Sequence, residues 1–266
     1  LAATLSASWA SGNSMINGSP VVDFHGHQGR WDAMGMTRGP DDLVRIMDMI
    51  GIDYACLFNI FHDNGRTGND LTAGWTRRFP ARLIGFAYIA PLSDGRAIAE
   101  LERAIDDEGM RAIKIYPPLA GAAIDDTRWD TVYQFAHDRS LAIIIHTDMR
   151  PVCQPRLLVR PARRFPNARF VCAHAGNLPE ARLQAIDAAR RCANIYLETC
   201  TTFRSPGVIE QLVEGVGAQK VLYGSDMPVM DPRVQIGKIL TARLAPADVS
   251  QILGLNAVKL LGIGGP

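Results

Sequence analysis

Short apolar runs rich in β-branched residues recur along this 266-residue chain, and their starts lie roughly 25 to 33 residues apart. That interval suits one strand, one helix and the two loops that join them. We predict eight strands from these runs, at residues 21–27, 54–61, 83–89, 112–116, 141–148, 169–176, 194–200 and 221–228.

Stretches with the apolar spacing of amphipathic helices separate the runs. The clearest are 41–50, which stops at Gly51, 178–192, which has Pro179 in its first turn, and a third that Pro206 opens. Eight strand–helix alternations in one domain-length chain favour a single-domain (β/α)8 TIM barrel. A doubly wound open sheet also alternates, but it usually carries a glycine-rich phosphate loop after its first strand, where this chain has His-Gly-His-Gln-Gly.

The first fourteen residues do not share this pattern, since they are small, polar and uncharged apart from three large apolar residues. They lack the positive and apolar segments of a secretory signal. We therefore expect 1–14 to be a poorly structured extension or expression remnant, with the stub of a processed leader as the alternative. The barrel is expected to span 15–266.

The composition argues against several classes of partner. Hydrophobic residues make up 47% of the chain, which supports a substantial core, and the formal net charge of +1 gives no field that would attract nucleic acid or an anionic membrane surface. No apolar run is long enough to cross a bilayer. The five cysteines are odd in number and form no Cys-x-x-Cys pair, so we expect a cytoplasmic protein in a reducing compartment.

Polar residues that could bind a metal stand where predicted strands end. His25 and His27 close the first run, and residues i and i+2 of a strand point to the same side. His146, His174 and Asp226 close three later runs. Because the carboxyl ends of barrel strands meet at one rim, these imidazole and carboxylate groups should lie together and form a metal site.

The fourth predicted strand places a charge inside the barrel. If Ile113 and Ile115 pack against the helices, Lys114 and Tyr116 must face inward. A lysine inside a barrel is costly unless it is paired or functional, so we include Lys114 among the candidate site residues.

These residues resemble the amidohydrolase superfamily and, within it, the amidohydrolase-related (amidohydrolase 2) branch. The resemblance covers about residues 20–263, and the order of the motifs is more specific than any one motif. The motifs are Asp23-x-His25-x-His27, Ile-Lys114-Ile-Tyr-Pro, Ile-His146-Thr-Asp, Ala-His174-Ala-Gly-Asn and Tyr-Gly-Ser-Asp226-Met-Pro. Residues 255–262 are similar to the closing helix of the branch, with Lys259 where arginine is usual.

The resemblance implies one divalent metal, zinc or alternatively manganese, bound by His25, His27, His146 and Asp226. It also implies that Asp226 takes a proton from the metal's water and that His174 hydrogen-bonds to this water or to the substrate. Zinc chemistry agrees, because bound zinc lowers the pKa of its water to about 7 and a nearby carboxylate can accept the proton.

Lys114 leaves the number of metals open. In binuclear members of the superfamily a carboxylated lysine on this strand bridges two metals. In the mostly mononuclear amidohydrolase-related branch such a lysine can instead contact the substrate. We predict one metal, with a binuclear site as the alternative if Lys114 is carboxylated.

The substrate is expected to be a small molecule that carries a carboxylate, because arginine binds carboxylates in a bidentate manner. Four arginines follow strand ends on loops that should roof the pocket: Arg30, Arg66, Arg150 and Arg204. Arg30, Arg150, Arg204 and Tyr116 are the candidate substrate contacts, with solvated loop charges as the alternative for the arginines. Trp31 and Phe203 could add an apolar wall.

The predicted reaction is hydrolysis of an amide, ester or lactone carbonyl by a metal-activated water. The alternative is metal-dependent non-oxidative decarboxylation, or hydration, of a carboxylated aromatic or ring-cleavage product, because the branch contains such decarboxylases. Resorcylate-type decarboxylases tend to carry glutamate in place of the first histidine, so His25 favours hydrolysis. A catalytically silent barrel would have no chemical reason to keep the whole ligand set. By resemblance we also expect a homodimer.

Overall fold

The fold is known from a computed structural model, which describes residue 16 and residues 18–29, 39–62, 65–90, 96–201 and 205–263. Eight parallel strands form one sheet, and each is hydrogen-bonded to the next strand along the chain. The strands are β1 Val22–His27, β2 Tyr54–Phe58, β3 Leu83–Tyr88, β4 Ala112–Ile115, β5 Ala142–His146, β6 Arg169–Ala173, β7 Ile195–Glu198 and β8 Val221–Leu222.

The chain beyond β8 joins β1 and brings the two ends of the sheet together. The backbone N–H of Phe24 donates to the carbonyl of Tyr223 at 2.9 Å, and that of His27 donates to Met227 at 2.7 Å. These bonds connect the first and last strands, so the predicted single-domain (β/α)8 barrel is confirmed. The predicted extension at 1–14 lies outside the described residues.

Helices follow the strands and cover the outside of the barrel. They are α1 Pro40–Ile50, α2 Gly65–Arg78, α3 Arg96–Glu102, α4 Pro117–Ala120, α5 Asp130–Asp138, α6 Val159–Arg164, α7 Pro179–Arg191, α8 Val208–Val216, α9 Pro232–Leu240, α10 Pro246–Ser250 and α11 Asn256–Leu261. Gly51 ends α1 as predicted, because its φ of 85° is left-handed and its N–H bonds to Met47. No helix in the described ranges is long and apolar enough to cross a membrane.

The strands divide their side chains between two apolar layers. Ile113 and Ile115 pack with the helices in the outer layer, while Phe24, Phe58 and Phe86 belong to the layer inside the barrel. This division confirms the predicted orientation of β4, in which Ile113 and Ile115 face the helices. Lys114 therefore faces the barrel interior, where it is 1% exposed. The closing helix α11 packs against the inner layer.

A β-bulge in β1 changes which of its residues face the barrel interior. Asp23 pairs with Ala55 and Gly26 with Leu57, so three steps along β1 match two along β2. Phe24, which lies within the shifted interval, packs in the inner layer with Phe58. The ring of His25 also lies 5.1 Å from the ring of Phe58, so neighbouring residues of one strand both reach the interior.

Candidate active site

Two histidines of β1 and an aspartate beyond β8 converge at the carboxyl rim of the barrel. Oδ1 of Asp226 lies 2.8 Å from Nε2 of His27 and 3.4 Å from Nε2 of His25. The donor atoms of the three residues are all within 4.8 Å of one another. Because His25 and His27 are buried, these groups face one another with little competition from solvent.

Asp226 Oδ1 is a buried acceptor that receives no hydrogen bond from any described residue. His27 Nε2 is close to it, but the two atoms do not have hydrogen-bond geometry. A buried carboxylate oxygen without a partner is costly. Two imidazole nitrogens and one carboxylate oxygen are suitable ligands for zinc or manganese, so this set of donors fits a divalent metal.

The charge and the backbone of Asp226 are both set by its surroundings. Burial alone would raise the pKa of this carboxyl, but His27, His174 and Lys114 hold it well below its usual range. The residue has a left-handed φ of 64°, which is strained for an aspartate. Its N–H donates to the carbonyl of His25 at 2.7 Å, a bond that helps to hold the strained turn against β1.

His146 and His174 form a contact of their own beside this group. Nε2 of His174 lies 3.0 Å from Nδ1 of His146, and the rings of His174 and His25 are 4.8 Å apart. His146 is not one of the three residues whose donor atoms cluster around Asp226 Oδ1. The structure thus brings His25, His27 and Asp226 together and places His146 next to His174.

The two imidazoles are hydrogen-bonded in a row. Burial and the nearby His146 lower the pKa of His174 to about 3, and burial also lowers the pKa of His146, so both rings are neutral near pH 7. Nε2 of His146 lies 2.9 Å from Arg150 and 3.1 Å from Oδ2 of Asp148, and Nδ1 of His174 lies 3.1 Å from the carbonyl oxygen of Cys200.

Arg150 and Tyr116, two of the candidate substrate contacts, lie next to His146. The rings of Tyr116 and His146 are 4.5 Å apart, and Arg150 is half exposed and paired with Asp148 at 2.6 Å. Arg66 is exposed on α2 and lies 3.8 Å from Glu100. The remaining candidates, Arg30, Arg204, Trp31 and Phe203, lie outside the described residues.

Lys114 lies deep in the barrel, below the histidines. Its Nζ is 4.3 Å from the centre of the Phe58 ring. Burial lowers the pKa of this ammonium to about 8, although Asp226, Cys200 and Glu198 act in the opposite direction. Near neutral pH Lys114 is therefore closer to losing its proton than a solvated lysine is.

A family model described as amidohydrolase (Amidohydro_2) matches residues 22–263. The chain belongs to this family. Amidohydrolases of this family are metal-dependent enzymes, and the His25–His27–Asp226 group is a candidate metal-binding group within this chain. No curated protein matches the chain.

Solved structures share the fold of this amidohydrolase-family chain. An uncharacterized TIM-barrel protein from Bordetella bronchiseptica has a TM-score of 0.76 at 20% identity, over 93% of this chain and 100% of its own. A dihydroxybenzoic acid decarboxylase from Polaromonas sp. JS666, with bound manganese and the inhibitor 2-nitroresorcinol, has a TM-score of 0.73 at 16% identity. This match covers 93% of this chain and 98% of the decarboxylase. The 4-oxalomesaconate hydratase of Rhodopseudomonas palustris has a TM-score of 0.68 at 20% sequence identity, and the match covers 91% of this chain and 95% of the hydratase. At these identities the likeness shows the fold alone.

Two buried acids contact the candidate site, and the sequence pattern did not identify them as site residues. The carboxyl of Glu198, the last residue of β7, is hydrogen-bonded to Nδ1 of His25 at 2.8 Å. Asp23 accepts bonds from the N–H of His25 at 3.1 Å and of Ser225 at 2.9 Å, and also from the Ser225 hydroxyl. Burial raises the pKa of Asp23 to about 7 and that of Glu198 to about 8. Glu198 could have been identified from the sequence, because it is a charged residue at the end of an apolar run.

Proposed function

We propose that the protein is a metal-dependent hydrolase that uses a metal-activated water to attack the amide, ester or lactone carbonyl of a small molecule. One observation carries the proposal: the buried Oδ1 of Asp226 receives no hydrogen bond from a described residue, yet it faces the ring nitrogens of His25 and His27. The family of the chain supports metal dependence.

The metal would be zinc or manganese, held by His25, His27 and Asp226 with His146 as the proposed fourth donor. When bound, it would supply a water of lowered pKa and polarise the substrate carbonyl. Asp226 is ionised at neutral pH, because its pKa is held low, and can accept a proton. His174 is neutral and can orient the attacking water or the substrate through a hydrogen bond.

The proposed substrate bears a carboxylate. Arg150 is the described arginine next to the histidines, and about half of its side chain is exposed. Its guanidinium can offer donors to a carboxylate in a planar fork. Tyr116, beside His146, can provide a flat contact surface for a ring.

Non-oxidative decarboxylation of an aromatic acid is the second candidate reaction. It is supported by the names of similar structures, among them a dihydroxybenzoic acid decarboxylase with bound manganese. Aromatic rings near the histidines would suit such a substrate, since the ring of Phe61 lies 5.7 Å from His27 and that of Tyr116 lies 4.5 Å from His146. Hydration is a third candidate, because a similar structure is a hydratase.

Metal binding tests the shared part of these proposals. Protein freed of metal by a chelator is titrated with zinc or manganese, and wild type, His25→Ala and Asp226→Asn are compared. We expect one equivalent in wild type and at least tenfold weaker binding in both variants, because each loses one ligand. His137→Ala is the control, since this histidine lies on helix α5 and contacts Asn167. Wild-type protein that takes up no stoichiometric metal would contradict the proposal.

Product analysis separates the reactions. The metal-loaded protein is incubated in isotopically labelled water with carboxylated amides, esters and lactones and with hydroxybenzoates. Hydrolysis predicts a product that has gained labelled oxygen with its carboxylate retained. Decarboxylation predicts loss of carbon dioxide and uptake of a proton from water at the same carbon. Activity on the hydroxybenzoates alone would replace the first candidate by the second.

A further inference from the structure

Glu198 links three strand ends of the barrel through one carboxylate. Its Oε2 lies 2.8 Å from Nδ1 of His25 and accepts a hydrogen bond from the N–H of His174 at 3.1 Å. Its Oε1 accepts a bond from the N–H of Cys200. The side chain is fully buried, so water does not compete for these three donors.

The bond to His25 determines which ring nitrogen is available for a metal. A neutral imidazole carries its proton on one nitrogen and a lone pair on the other. An ionised Glu198 can only accept at Nδ1, so the proton of His25 then resides there and the lone pair lies on Nε2. Nε2 is the atom that faces Asp226, at 3.4 Å.

The Glu198 carboxylate occupies space that is available because Gly224 has no side chain. A Cβ at position 224 would collide with Oε1 of Glu198, and it would lie 2.6 Å from Cδ of Glu198 and 2.9 Å from Cβ of His25. Gly224 does not have a left-handed φ, so the backbone itself would accept alanine. The glycine is therefore needed for the fit of the Glu198–His25 pair rather than for a turn.

We propose that Glu198 is a positioning residue of the metal site: it fixes the tautomer and the ring orientation of His25, and Gly224 provides the space for it. The inference rests on the proposed metal-dependent function. A carboxylate that receives the second N–H of a ligating histidine commonly has this role in metal sites.

Glu198→Gln tests the role with little change in shape. The carboxylate faces three N–H donors, and an amide offers only one oxygen to them. If the amide NH2 faces His25, it favours the tautomer with the proton on Nε2, which cannot bind a metal. In the other orientation the amide NH2 faces the N–H of Cys200, so two hydrogen-bond donors are placed against each other. We expect the zinc affinity of Glu198→Gln to fall about 10- to 100-fold.

Asp53→Asn is the matched control. Asp53 is also a buried carboxylate, and it accepts the N–H of Val21 at 2.8 Å at the opposite end of β1. Its loss should change the unfolding midpoint and leave the zinc affinity within about twofold of wild type, since its side chain binds the backbone of Val21 and not a candidate ligand. Unfolding of each variant in a chelator shows whether its metal-free fold is intact.

Gly224→Ala provides an independent test, because it displaces the Glu198 carboxylate without removing a polar group. We expect weaker zinc binding here too, whereas Gly237→Ala, with open space around its Cβ, should bind zinc as wild type does. In histidine-labelled zinc protein, a protected Nδ1–H resonance of His25 should be present in wild type and lost or shifted in Glu198→Gln. If Glu198→Gln does not fold, Glu198→Asp and Gly224→Ala decide the question.

The possible failures can be told apart. If wild type binds one zinc and the Glu198 and Gly224 variants bind it with unchanged affinity and an unchanged Nδ1–H resonance, the positioning role is wrong and the proposed function stands. If wild type binds no zinc or manganese, the proposed function fails and the inference fails with it.

Discussion

The guanidinium of Arg150 lies 2.9 Å from Nε2 of His146, and Asp148 lies 2.6 Å from the same guanidinium. The arginine is thus held beside a candidate metal ligand while half of its side chain faces solvent. A substrate carboxylate that reached His146 would meet a donor already in position.

Arg150→Ala should therefore weaken binding of a carboxylate-bearing substrate. Loss of a charge-assisted hydrogen bond, worth about 1.5–3 kcal/mol, corresponds to a rise in KM of roughly 10- to 150-fold. The measurement is steady-state kinetics on a substrate found by the product analysis. Arg66→Ala is the control, because Arg66 is exposed and lies beside Glu100. An unchanged KM in Arg150→Ala would remove the proposed carboxylate contact.

Lys114 should not be needed to hold the metal. Its Nζ lies over the ring of Phe58, and we propose a mononuclear site. We expect Lys114→Met to keep one equivalent of zinc and to lower kcat/KM at least tenfold, because a buried amine beside the site is lost. Metal analysis and mass spectrometry provide the check. Two equivalents in wild type, together with the added mass of a carbamate on Lys114, would establish the binuclear alternative.

The same lysine should make the stability of the metal-free protein depend on pH. Its pKa is about 8 in the folded chain and 10.5 ordinarily, so between these values the unfolded state binds the proton and the folded state does not. The free energy of unfolding contributed by this group therefore rises as the pH increases from about 8 to 10.5. Lys114→Met removes that contribution, so urea unfolding of wild type and variant in a chelator should show the difference between them change across this window. A difference that does not vary with pH would contradict the lowered pKa.

Two glycines should respond to alanine in opposite directions. A Cβ on Gly254 would collide with the carbonyl oxygen of Pro20, which is backbone and cannot move aside cheaply. We expect Gly254→Ala to lose about 1–3 kcal/mol of unfolding free energy. Gly74 lies within helix α2 and has no atom within 4 Å of its Cβ position, so Gly74→Ala should gain about 0.5–1 kcal/mol. Urea denaturation measures both, and equal effects would argue against the packing at Gly254.

The cysteines should be unreactive in the folded protein. All five are free and buried: Cys56, Cys153, Cys172, Cys192 and Cys200. Burial raises the pKa of Cys153 and of Cys172 to about 12, so the reactive thiolate is scarce at pH 8. We expect a thiol reagent to modify none of them quickly in native protein and all five after unfolding in guanidinium. Rapid labelling of the native chain would contradict this burial.

The order of secondary structure elements was accessible from the sequence because it depends on local periodicity. All eight predicted strands are present, but seven of the predicted runs extend beyond the residue at which the strand ends. The last run was predicted at 221–228, whereas β8 is Val221–Leu222. The chain leaves the ladder at the rim, where Asp226 takes a left-handed φ to turn its carboxylate toward the histidines. Such a turn depends on contacts with β1, so an apolar run does not reveal it.

The sequence by itself determined the barrel and the positions of the candidate metal ligands at its strand ends, because strand spacing and residues at strand ends are local properties of the chain. Only the tertiary structure decided how these side chains are arranged. The bulge in β1 brings Phe24 and His25 to the same interior. Glu198 meets His25 across 173 positions of sequence, and His146 pairs with His174 across 28. Contacts between residues so far apart follow from closure of the barrel and from competition among buried polar groups, and neither is visible in a linear pattern.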